Sequence, residues 1–116
     1  MNLIKDKSFS FALDIIKCYK SLLTEKKEYV MSKQLLRSGT AIGALYREAE
    51  HAESKADFIH KMAMAQKESN ETLYWIDLLK ASEYIDKDVY CALKTKNDSI
   101  NKIISSIILT TKSRKG

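Results

Sequence analysis

Apolar residues recur along most of the chain at alternating steps of four and three, the spacing that keeps one stripe on one side of an α-helix. The longest such stretch runs from Ser54 to Ser82, where Phe58, Met62, Ala65, Ser69, Thr72, Ile76 and Leu79 form the stripe. Ile59, Leu73 and Trp75 widen the apolar face. Ser54 followed by Asp57 predicts a capped start, each side chain satisfying a free backbone N–H. At 1.5 Å per residue this helix spans roughly 40 Å, so the other segments can pack along it. The stripe turns polar midway, at Ser69 and Thr72, beside Glu68 and Glu71.

Three further segments carry the same rhythm. The first helix is expected over residues 8–24, capped by Ser8, after a polar stretch 1–7 that frays. Phe9, Ala12, Ile16, Tyr19 and Leu23 would face the core, with Lys17 and Lys20 outside. Glu25, Lys26, Lys27 and Glu28 make a charged connection. The second helix is expected over 32–52, capped by Ser32, with Met31, Leu35, Ser38, Ile42, Leu45 and Ala49 as its stripe. Gly39 and Gly43 lie inside it, and each costs a helix about 1 kcal/mol relative to alanine. Close approach of a neighbouring backbone would compensate, as in small-residue helix contacts. The last helix is expected over 86–111, capped by Asp86, with Val89, Leu93, Lys96, Ile100, Ile103, Ile107 and Thr110 in step. Ile104, Ile108 and Leu109 add a second apolar edge. A helix apolar on more than one side buries more than one side, which predicts a contact between subunits. Four helices with short connections predict an all-α fold, an antiparallel up-down-up-down four-helix bundle, as a single domain over 1–116 with a basic tail at 112–116.

Composition narrows this further. The 116 residues include no proline and only three glycines, too few turn formers for an all-β domain. No apolar run reaches the length of a membrane span, and Lys5, Asp6 and Lys7 stand where a signal peptide would be apolar. Cys18 and Cys91 lack metal-type spacing and are expected as two buried thiols in a reducing cytoplasm. The net charge is +5, unevenly spread: residues 86–116 hold seven Lys/Arg against three Asp, while 51–85 hold four Lys against six acids. That balance fits an anionic partner.

Candidate chemistry is sparse. Glu48 with His51, and Asp57 with His60, put an acid and a histidine on one helix face, as di-iron bundles do. Such a site also needs carboxylates from the other two helices at that level. The first helix offers only Asp6 or Asp14, and the fourth has no acid after Asp98. No metal and no cofactor is therefore expected. Glu68 and Glu71 could do acid–base work but have no nucleophile nearby in sequence; an ion pair with Arg37 or Arg47 is the expectation. No phosphate loop, nucleophile elbow or metalloprotease motif occurs, so neither an enzyme nor a small-molecule substrate is expected. For nucleic acid the candidates are Arg37, Arg47, Lys94, Lys96, Lys102, Lys112, Arg114 and Lys115, with Tyr46, Tyr84 and Tyr90 able to stack on bases if exposed.

The run Arg37-Ser38-Gly39-Thr40-Ala41-Ile42-Gly43-Ala44, followed by Arg47-Glu48-Ala49, resembles the signature of a bacterial four-helix-bundle family. That family was first noticed as open reading frames within intervening sequences of 23S ribosomal RNA genes. Asp57-Phe58-Ile59-His60-Lys61 and the run from Lys67 to Leu79 strengthen the resemblance. It implies a bundle assembled as a ring, typically a homopentamer, without catalytic activity. The chain is also similar to the accessory protein of diversity-generating retroelements, whose basic ring engages nucleic acid and a reverse transcriptase. It departs from the family pattern at Ala41, where serine is common, and at Leu45, where asparagine is common; packing must replace any polar contact there. The resulting expectation is a cytoplasmic, non-enzymatic, ring-forming protein that binds structured RNA or a ribonucleoprotein. The alternative is an oligomeric protein-interaction scaffold whose charge serves solubility.

Overall fold

The computed structural model describes residues 2–114. It contains four helices: α1 (Leu3–Thr24), α2 (Met31–Ala49), α3 (Lys55–Ala81) and α4 (Lys87–Ser113). Neighbours in the chain pack side by side, α4 closes back onto α1, and the diagonal pairs α1/α3 and α2/α4 do not meet. Cross-links run in opposite senses along each pair, Lys5–Glu50 for α1/α2, Arg37–Glu68 and Glu48–Lys61 for α2/α3, Asp77–Tyr90 for α3/α4, and Lys7–Ser99 with Asp14–Lys96 for α1/α4, so every neighbour is antiparallel. The result is the expected up-down-up-down bundle, 51 Å along its long axis.

The caps explain where the helices begin. Ser54 accepts the Asp57 N–H at 3.0 Å, and Asp57 in turn accepts the Glu53 N–H at 3.2 Å. Asp86 accepts the Val89 N–H at 2.9 Å. Two expected caps are corrected. Ser8 lies inside α1, because Asn2 accepts the Lys5 N–H at 3.2 Å and starts the helix at Leu3; the segment 2–7 is ordered, not frayed. Ser32 does not cap α2; Glu28 does so from outside the helix. Its carboxylate accepts the N–H groups of Val30, Met31 and Ser32 at 3.1, 3.2 and 2.7 Å. Burial pushes the Glu28 carboxyl up, but those bonds outweigh it and hold it below its ordinary value.

Two stripes are rotated from expectation. In α1 the buried line is Ile4, Ser8, Phe11, Ile15, Cys18 and Leu22, while Phe9 and Leu13 are each 54% exposed. The helix is apolar on two sides, and the two α2 glycines select the side that packs. Ile15 fills the place of a side chain at Gly39: a Cβ there would meet its Cγ1 at 2.8 Å. Ser8 sits opposite Gly43, 3.2 Å from where a Cβ would be. In α4 the buried line is Leu93, Asn97, Ile100 and Ile104; Lys96 and Thr110 face water. One step along a helix turns a side chain by roughly 100°, so Asn97 rather than Lys96 enters the core.

The polar middle of α3 meets partners. Ser38, Ser69, Thr72 and Asn97 are all buried. The Thr72 and Ser38 hydroxyls bond each other at 2.9 Å. Ser69 Oγ donates to Asn97 Oδ1 at 2.9 Å, and Asn97 Nδ2 donates to the Ser69 carbonyl at 3.1 Å. Satisfied in this way, a buried polar layer specifies one alignment of the helices, since a slipped register would strand every member. Leu45, where the family pattern favours asparagine, is buried among apolar residues. Trp75 is partly buried against the core, with Tyr74 edge-on to it at 5.2 Å. No helix among the described residues is long and apolar enough to cross a membrane.

Candidate nucleic-acid interface

The eight predicted cations do not form one patch. Arg37 and Arg47 are on α2, while Lys94, Lys96, Lys102 and Lys112 are on α4 and Arg114 ends it. These helices occupy diagonal corners, so a single subunit cannot present both sets on one face. Lys115 lies outside the described residues.

Several of the cations are already engaged. Arg37 binds Glu68 at 3.2 Å and also Glu71, and its hydrogen bond holds the Glu71 carboxyl below its ordinary value. This is the ion pair expected for the two acids, with Arg37 and not Arg47 as the partner. Lys94 meets Asp98 at 3.1 Å, and Lys96 meets Asp14. Arg47 lies over the ring of Phe9, 5.6 Å from its centre. Lys102, Lys112 and Arg114 are exposed, and none has a carboxylate at ion-pair distance among the described residues.

The expected stacking tyrosines are poorly placed. Tyr46 is buried, and its hydroxyl accepts from Asn2 Nδ2 at 2.6 Å. Tyr90 is half-buried, with its hydroxyl donating to Asp77 at 2.9 Å. Tyr84 is half-buried against the core. The open tyrosine rings among the described residues are Tyr29 and Tyr74, 56% and 57% exposed. Both fall outside the core stripes; that absence was the signal by which the sequence could have marked them.

The acid–histidine pairs do not converge. Glu48 is taken by Lys61 at 3.1 Å, and Asp57 by the Glu53 N–H. His51 and His60 are exposed, and no three metal-ligating side chains stand together among the described residues. Cys18 is buried as expected, and burial raises its thiol to about 11; Cys91 is exposed, against expectation. A groove of about 710 Å³ lies between α1 and α4 over Cys18, Leu22 and Leu93. Lys17, Lys26, Lys80 and Lys96 line it against Asp14, Glu25, Glu83 and Asp86, so its charges balance and it does not select an anion.

Such an arrangement, four antiparallel helices with dispersed surface cations, defines the class of small four-helix-bundle proteins. More narrowly, the chain belongs to the 23S rRNA-intervening sequence protein family, whose model matches residues 2–106. The chain is similar to a crystallised protein of unknown function from the S23 ribosomal protein family of Bacteroides thetaiotaomicron. The two share 54% identity over 90% of this chain and 97% of that one, with a TM-score of 0.90. A search of the curated proteins found no match.

Proposed function

We propose that this protein is a non-enzymatic bundle that assembles into a ring and binds structured RNA, alone or in a ribonucleoprotein such as one containing a reverse transcriptase. The observation that carries the reading is membership of an rRNA-intervening-sequence family over most of the chain, on a protein of net charge +5. Lys102, Lys112 and Arg114 contact phosphates, being exposed and free of carboxylates among the described residues. A ring also answers the diagonal placement of the cations, because it can set α2 of one subunit beside α4 of the next. Exposed Leu3, Phe9 and Leu13 on α1 and Leu109 on α4 supply apolar surface for contacts between subunits. The resemblance supports a homopentamer as that assembly, and the proposed place of action is the cytoplasm. Filter retention of a labelled structured RNA at low salt tests the reading; absence of retention refutes it.

The engagement of Arg37, Lys94 and Lys96 by acids favours a second reading, an oligomeric protein-interaction scaffold with charge for solubility. A purified assembly of several subunits that retains no RNA at any salt concentration would select it.

A further inference from the structure

The connection between α1 and α2 carries Val30, 73% exposed, beside Tyr29 at 56%. No other large hydrophobic side chain among the described residues is as open as Val30. The turn that displays this pair is held from within. Lys27 takes the left-handed conformation with φ of 55°, and the Glu28 N–H returns to the Leu22 carbonyl at 3.0 Å. The Glu28 carboxylate gathers three N–H groups of the next helix, and Ser32 Oγ donates to the Glu28 carbonyl at 2.8 Å. An apolar pair shown on so constrained a backbone loses little freedom when a partner covers it.

Lys20, Lys27 and Lys33 lie near the pair in the chain, all exposed, and none meets a carboxylate at ion-pair distance among the described residues. Of the two acids of the same turn, Glu28 is buried against the start of α2, and Glu25 lines the α1–α4 groove with Lys26, away from α2. The neighbouring turn, with Glu83 and Asp86, is acidic and would keep an anion on the α1–α2 side.

We propose that this turn receives an unpaired nucleotide of a structured RNA. The base stacks on the Tyr29 ring, the ribose lies against Val30, and Lys27 and Lys33 hold the flanking phosphates. An open aromatic ring serves a base that has left its own stack, which a paired duplex does not offer. Exposed lysines with no carboxylate at ion-pair distance on the α2 side of the turn suit a partner whose charge repeats along its backbone. The inference rests on the RNA-binding reading and names one of its contacts.

The test is fluorescence anisotropy on the full chain with a labelled RNA hairpin bearing an unpaired loop, and with a fully paired duplex of equal length. Wild type is expected to prefer the hairpin. Tyr29→Ala should weaken hairpin binding about tenfold and leave the duplex unchanged, while Tyr29→Phe retains binding. Lys27→Gln with Lys33→Gln should weaken both RNAs and make the salt slope shallower by about 1.4 to 1.8. Wild-type binding that Tyr29→Ala does not alter overturns this inference and leaves the RNA reading standing. No wild-type binding to either RNA overturns both. Displacement of RNA by polyglutamate as effective as by unlabelled RNA, with Tyr29→Ala weakening both competitors alike, assigns the turn to an acidic protein and also overturns the inference.

Discussion

Alanine at Gly39 and alanine at Gly43 should change stability in opposite directions, although the two positions lie one helical turn apart. Alanine favours a helix interior over glycine by about 1 kcal/mol at either site. At Gly39 the new methyl would stand 2.8 Å from Ile15 Cγ1 and 2.9 Å from Cγ2. Those carbons branch directly from Cβ in a side chain with stiff χ1, and Ile15 is fully buried, so they cannot swing aside without moving α1. Overpacking of this kind costs roughly 1–3 kcal/mol, which leaves Gly39→Ala destabilised by about 1 kcal/mol. At Gly43 the nearest atom is Ser8 Oγ at 3.2 Å, a hydroxyl that turns away by rotation of one bond. There the helix preference wins, and Gly43→Ala should gain up to about 1 kcal/mol. Ile15→Ala alone should cost roughly 2–5 kcal/mol. Combined with Gly39→Ala it should cost less than the sum, by about 1–2 kcal/mol, because the added methyl occupies part of the hole. Urea unfolding followed by circular dichroism, at one fixed protein concentration so that assembly does not move the midpoint, measures all four variants. Equal stabilisation by both glycine replacements, with an additive double variant, would refute close packing as the reason for Gly39.

Asn97→Ala should destabilise the fold by about 2–3 kcal/mol in the same assay, since it opens a hole and leaves the buried Ser69 hydroxyl without its acceptor. Glu28→Ala should cost about 1–2 kcal/mol at neutral pH, as loss of a helix cap does. The Glu28 carboxyl is lowered from 4.5, so its contribution is complete above that pH and is lost as pH falls through its lower folded value. The Glu28→Ala variant should therefore lose less stability than wild type on acid titration. With an aromatic disulfide reagent at neutral pH, exposed Cys91 should react at once. Cys18, whose thiol burial raises to about 11, should react only on unfolding.

The helices of α2 and α3 were legible because their stripes are unambiguous: five of the six α2 positions and six of the seven in α3 are buried, with Met31 and Phe58 packed at the edge. The face of α1 was not. Phe9, Ile16 and Leu23 make as good a stripe as Phe11, Ile15 and Leu22, and only the fit of Ile15 to Gly39 decides between them. That fit involves residues 24 positions apart, which periodicity within one helix does not contain. Asn97 was missed, with Lys96 taken in its place, for a related reason: amides are usually solvated, and its place in the core depends on Ser69 from another helix. The cap of α2 escaped because Glu28 acts across the turn from two to four residues away, outside the usual serine or aspartate position. Among the candidate cations, sequence order carried no record of which would find acids on a neighbouring helix, as Lys96 finds Asp14.

The salt dependence of affinity for a structured RNA tests the functional account most directly. Three phosphate contacts by Lys102, Lys112 and Arg114 predict a slope of log affinity against log salt of about −2.7, and steeper with every further contact. A slope near zero, or no measurable affinity at 50 mM salt, would contradict it.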